Sequence, residues 1–241
     1  MRNKRRSNPN TGLTLVEVLV AISLLSLLSV AILTALRTGA MAWEKTNTNL
    51  MLDRRIAGAN AILHAELEGI FPAWAQARTA GPNAPSTFLF FQGQAESMRF
   101  VTSYSLEAGP RAGLRLVELQ VTQTERGKRV LLNELPFESP RAAGRVVTGV
   151  LNDGPEGRPR LVFAPILAQP TSFVIADELE SCAFSYLTED SLNERARFVP
   201  VWTRMDQLPA AVSIQLIPRR VSARLRPVPV VVPVRSTMLS P

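Results

Sequence analysis

The chain has 241 residues but one cysteine, one histidine and two tyrosines. A single thiol, Cys182, cannot close a disulfide within the chain, so no disulfide framework holds the fold. Cys182 stands in the alternating run Cys182-Ala183-Phe184-Ser185-Tyr186-Leu187 and reads as a buried apolar residue rather than a reactive thiol. The lone histidine, His64, lies in a helix-like stretch with no second imidazole to complete a metal set. No glycine-rich phosphate loop, zinc-spaced cysteine pair or hydrolase elbow occurs. The acidic pairs Glu189-Asp190 and Asp153/Glu156 lack the D-x-D-x-D-G spacing of a calcium loop and read as solvated loops. The expectation is a protein that is not an enzyme and uses no cofactor or metal.

Acid is missing from both ends. Arg2, Lys4, Arg5 and Arg6 precede Gly12 with no carboxylate among them, and residues 219–241 hold five arginines and no acid. All 20 acids therefore lie between, against eighteen of the 27 Lys and Arg, so the body is near neutral despite a formal charge of +7. Basicity confined to the ends is not the footprint of a nucleic-acid surface.

A long apolar run is present. Residues 13–36 contain one charged side chain, Glu17. Twenty-four helical residues cover roughly 36 Å, more than the roughly 30 Å hydrocarbon core of a bilayer. The run exceeds the roughly 7–15 apolar residues of a secretory signal, and no A-x-A-like cleavage site follows it. The basic leader places the bulk of the chain on the outer side. A carboxylate within a membrane run costs roughly 2.5–3.5 kcal/mol at mid-bilayer, so Glu17 calls for a partner.

Gly12-Leu13-Thr14-Leu15-Val16-Glu17 resembles the prepilin-type signal of type IV pilins and type II secretion pseudopilins, matching at Gly12, Thr14, Leu15 and Glu17 and departing at Leu13, where the family usually has Phe. The resemblance implies cleavage by a prepilin peptidase between Gly12 and Leu13, methylation of the new Leu13 amine, and retention of the helix. It also implies a partner for Glu17, the N-terminal amine of a neighbouring subunit. Opposite charges attract strongly in a low-dielectric bundle, and either alone is costly.

Apolar residues then recur at Met41, Trp43, Leu50, Leu52, Ile56, Ile62, Leu63, Leu67 and Ile70 between polar positions, as in a helix with one packed face. Gly69 and Pro72 signal its end. From residue 86 the pattern turns to strands: Thr87–Phe91, Ser97–Ser103, Leu114–Thr122, Arg129–Leu135, Arg145–Leu151, Arg160–Ala164, Ser181–Leu187, Phe198–Trp202 and Ala211–Ile217. Turn clusters separate some of them at Glu107-Ala108-Gly109-Pro110 and Asn152-Asp153-Gly154-Pro155. The expected fold is α+β, a long N-terminal transmembrane and stalk helix packed on a mostly antiparallel sheet without a second helix. The expected divisions are a cleaved leader (1–12), a transmembrane helix (13–36), its continuation (37–71), a β-rich domain (72–218) and a Pro/Arg-rich tail (219–241). The tail, with Pro227, Pro229 and Pro233 among valines, reads as polyproline-like, an edge strand or disordered.

Within the body, Phe91-Gln92-Gly93, Met98-Arg99-Phe100-Val101-Thr102, Gly113-Leu114-Arg115-Leu116-Val117-Glu118, Asp177 to Leu187, Val201-Trp202 and Leu208 to Ile214 resemble ordered islands of the J-type minor pseudopilins of type II secretion. That resemblance implies the pilin-like lollipop, an inner-membrane anchor with a periplasmic domain, and a place in the tip complex of a short pseudopilus. The implied partners are I- and K-type pseudopilins, the major pseudopilin, the prepilin peptidase and the inner membrane, with no nucleic acid. A minor pilin of a type IV pilus or competence system is the alternative, and a membrane-anchored periplasmic binding protein is the second.

Overall fold

The computed structural model describes residues 14–76, 87–108, 113–151, 160–188, 196–219 and 228–234. The turn cluster Asn152–Pro155, Gly109-Pro110 and both acidic pairs considered for calcium lie outside the described residues. The chain divides into two units, Met1–Met51 and Leu52–Pro241. One helix, α1 (Leu15–Glu68), contributes to both.

In the first unit no described side chain is buried. Leu15–Glu44 is long and apolar enough to cross a membrane, with mean hydropathy 2.6. It extends past the expected boundary at Leu36 because Arg37 is its only charge between Glu17 and Glu44. Such a span must satisfy its own polar groups, and its hydroxyls do so. Ser23 donates to Val20 O (2.9 Å), Ser26 to Ile22 O (2.8 Å), Ser29 to Leu25 O (2.8 Å), and Thr34 to Val30 O (3.0 Å).

In the second unit, α1 buries Ala59, Leu63 and Leu67, spaced by four along one face, with Ile70 beyond its end. The helix stops at Glu68, directly before the Gly69 stop signal and three residues short of the expected bound at 71. Gly69 is required there, because a Cβ would collide with Thr102 Oγ1 and lie 3.0 Å from the Tyr104 Cβ. The chain then joins the sheet through Phe71 N–H to Val101 O (2.8 Å) and an isolated bridge, Ile70 to Thr102.

Among the described residues, eight strands form the main sheet: β3 (Phe91–Gly93), β4 (Ser97–Thr102), β5 (Arg115–Thr124), β6 (Gly127–Pro136), β9 (Phe173–Thr188), β10 (Arg197–Val199), β11 (Ala211–Pro218) and β12 (Val230–Pro233). Their order is β12-β11-β9-β6-β5-β4-β3, with β10 on β9. Two small sheets pair β1 (Trp74–Gln76) with β2 (Thr87–Leu89) and β7 (Val147–Leu151) with β8 (Arg160–Phe163). All these pairings are antiparallel, so the α+β expectation stands.

Several expected bounds move, for local reasons. β9 begins at Phe173, well before Ser181, because the acidic stretch Asp177–Glu180 masks the alternation. It is also irregular: Glu178 has φ 56°, and the β6–β9 register shifts nearby. Residues 144–146 form a 3-10 turn, so β7 starts at Val147. A one-turn helix, α2 (Pro140–Ala143), stands where no second helix was expected. Pro140 opens it, and the Ser139 hydroxyl caps it by accepting from Ala142 N–H (3.2 Å). β1 has no signal in its three residues, and Trp202 makes only an isolated bridge to Gly93 rather than ending a strand.

Of the three readings of the tail, Val230–Pro233 realises the edge strand, paired with Ala211–Ile214. Val234 N–H bonds Ala210 O (2.9 Å), so the even-numbered amides face β11 and the odd-numbered ones face the open edge. Pro229 and Pro233 are odd-numbered. They remove donors from the free edge alone, which blunts it against further strands.

The sheet has two unlike buried faces. One carries Met98, Phe100, Val117, Leu119, Val130 and Leu132, packed with Leu63 and Leu67 of α1. On the other, Gln92, Arg99, Glu118 and Asn133 are buried polar residues. Arg99 Nε pairs with Glu118 Oε1 (2.7 Å) and Asn133 Nδ2 donates to Glu118 Oε2 (2.9 Å). The segment following β8 lies across this layer: Arg99 Nη1 donates to Ala164 O (2.6 Å), and Asn133 Nδ2 to Leu167 O (2.9 Å). The polar residues thus bond a segment with no strand partner of its own.

Candidate functional site

The motif residues divide at the start of the described chain. Gly12 and Leu13 lie outside the described residues, and Thr14 is the first within them. Thr14 and Glu17 open α1. Glu17 N–H bonds Thr14 O (3.0 Å) and, more weakly, Thr14 Oγ1 (3.4 Å). A Thr three residues before a Glu at a helix start is the spacing of a capping box. Thr14 therefore has a local role that the sequence reading passed over, although the T-x-x-E pattern was there to find it. The Glu17 side chain is exposed in the first turn, where a carboxylate meets the positive end of the helix dipole. Its neighbours Leu15, Val16, Val18 and Leu19 are exposed as well, 43–79%. Glu17 thus stands alone on an uncovered apolar helix, with a cap at its backbone and room at its carboxylate.

The other singled-out residues are structural. Cys182 is buried, and burial pushes its thiol up to about 12, far from thiolate chemistry at neutral pH. His64 lies half-exposed on α1 beside Glu68, with Nδ1 3.4 Å from Oε2, and faces no catalytic partner. Three of the body islands converge. The Phe91 ring meets Tyr186 edge-on at 5.6 Å and Trp202 at 6.5 Å. Gly93 makes room for them, since a Cβ there would lie 2.6 Å from the Tyr186 ring and 2.9 Å from the Trp202 Cβ. Tyr186 Oη donates to Gln94 O (2.8 Å), which closes the cluster. This is core packing and not a cavity for a ligand.

The chain carries a prokaryotic N-terminal methylation motif, matched over residues 7–33. The match covers Gly12, Leu13, Thr14 and Glu17 and supports a pilin- or pseudopilin-type protein. With the exposed apolar helix, it is consistent with a membrane-anchored protein. No curated protein matches the chain.

Proposed function

We propose that this chain is a minor pseudopilin of the type II secretion system, of the J type, built into the tip of a periplasmic pseudopilus. The observation that carries the pilin-type reading is the methylation motif over residues 7–33, with Glu17 alone among exposed apolar residues five positions after Gly12. The ordered islands of the body, three of which meet at Phe91, Tyr186 and Trp202, support the J-type assignment.

On this reading, cleavage after Gly12 creates an amine at Leu13 that is then methylated. The helix stays in the inner membrane, and the domain stands in the periplasm. In the filament, Glu17 pairs with the Leu13 amine of a neighbouring subunit. Burying both charges together is tolerable, whereas leaving either alone costs several kcal/mol, on the order of 3–5. The pair therefore sets register more than it adds stability. The role is mechanical, without catalysis or cofactor, and the partners are I- and K-type pseudopilins, the major pseudopilin and the prepilin peptidase.

Mass spectrometry of the mature N-terminus tests the class. A methylated Leu13 is the expected result, and an intact Met1 or a cut beyond the apolar run refutes it. Capture of I- and K-type subunits by the membrane-extracted chain tests the J-type assignment. Capture of type IV pilus subunits in their place favours the minor-pilin alternative.

A further inference from the structure

The last turns of α1 bring a carboxyl group to a place where the fold gives it nothing to bind. Glu66 is fully buried, one residue before Leu67 on the face that meets the sheet, and neither carboxyl oxygen has a hydrogen-bond partner among the described residues. Only its backbone is engaged, the carbonyl accepting from Thr102 Oγ1 at the end of β4 (3.2 Å). Such groups are rare in folded proteins, and each asks for an explanation.

The groups facing Glu66 from the sheet explain which form it takes. Glu134 of β6 is also buried, but it is saturated. It accepts from the Ser105 hydroxyl, from Leu106 N–H (2.9 Å) and from Glu107 N–H (3.4 Å) in the loop after β4, and it pairs with Arg115 Nε of β5 (3.1 Å). Arg115 is thus engaged in an ion pair with Glu134. On the helix itself, His64 and Glu68 pair with each other at the surface. Among the described residues, a second buried negative charge here has no cation paired with it, and a metal ion would have to displace Arg115 from Glu134. The ligand that fits two carboxyls with one base already spent is a proton. We propose that Glu66 is a proton-binding clamp: with its proton on, it lets the end of α1 lie against the sheet, and losing that proton loosens the helix end from the domain.

The electrostatics agree with the geometry. Burial, and then the nearby Glu134 charge, raise the Glu66 carboxyl from 4.5 to about 8. The sign follows from linkage. The folded chain holds a proton that the unfolded chain releases above about 4.5, so the stability contributed by Glu66 is full at low pH, falls as pH rises, and levels off above about 8. The segment first affected is the one held by Ala59, Leu63 and Leu67 and by Ser103 N–H to Gly69 O (2.8 Å).

The test is denaturant unfolding of the full chain in detergent micelles across this pH range, with wild type and Glu66→Gln, beside infrared spectroscopy of the folded protein. The expected result is a wild-type unfolding constant that rises up to about tenfold per pH unit across the window, a slope that Glu66→Gln abolishes. A protonated-carboxyl C=O band should be present at neutral pH, disappear near pH 8 and be missing in the variant. Parallel slopes for the two proteins overturn the proposal, as does the absence of that band. A millimolar divalent cation that stabilises wild type but not Glu66→Gln overturns it in favour of a metal site. If Glu66→Gln does not fold, the infrared titration of wild type decides alone.

Discussion

Helix α1 carries a problematic acid near each end, and the two are solved differently. Glu17 sits in the first turn, exposed, with apolar side chains around it that have nothing to pack on. Glu66 sits near the last turn, enclosed, with both carboxyl oxygens unpartnered. An exposed acid has room to meet an opposite charge from another chain. A buried acid beside Glu134 has no such prospect, and its cheapest relief is a proton. A third acid, Glu118, completes the comparison. It is also buried, yet both of its carboxyl oxygens are bonded, because Arg99 and Asn133 supply donors at 2.7 and 2.9 Å. Burial alone therefore does not decide whether a carboxylate is partnered here; the donors within reach do.

The sharpest way to break this comparison is at Glu17. Glu17→Gln keeps a polar side chain at the third position of the capping box and removes the charge, whereas Glu17→Ala removes both. If the intersubunit pair is the role, both variants lose filament incorporation almost completely, read by cross-linking to neighbouring subunits in membranes. If helix capping is the role, Glu17→Gln assembles normally and only Glu17→Ala fails. In either case the sheet domain stays folded by circular dichroism.

Next in size is Arg99→Met. It strips Glu118 of its cation inside the protein, and breaking a buried pair from one side costs about 3–5 kcal/mol. Denaturant unfolding should show that loss at neutral pH, and Glu118→Gln in the same chain should recover part of it by removing the stranded charge. A loss that Glu118→Gln does not relieve would mean that Arg99 serves mainly through its bond to Ala164 O. Glu66→Gln should act in the opposite direction, gaining on the order of 2–3 kcal/mol at neutral pH because it removes an ionisation that the native state resists.

These acids were not equally legible in the sequence. The surroundings of Glu17 are its chain neighbours, so the apolar run and the spacing from Gly12 were enough to single it out. The surroundings of Glu66 come from β4, β5, β6 and the loop after β4, residues 102 to 134, and no local pattern brings them together. The same distinction separates the strands. β11 alternates over Ala211–Pro218 and was read almost to the residue, whereas the first half of β9 is acidic and bulged and was missed. The tail prolines show a limit of another kind. That proline removes a donor is a sequence fact, but which edge loses it depends on the pairing with Ala211–Ile214.

The smallest effect lies between the two acids on the same helix. Gly58 is helical, and a Cβ built on it meets nothing within 4 Å, unlike Gly69 and Gly93, where a Cβ collides with side chains. Glycine inside a helix costs about 1 kcal/mol relative to alanine. Gly58→Ala should therefore raise unfolding stability by about that amount, and it should leave the pH slope assigned to Glu66 unchanged, since it touches none of the groups facing that carboxyl. A variant that is stabilised but also loses the slope would mean that the clamp depends on how readily the helix bends at Gly58 and not on the enclosure of Glu66.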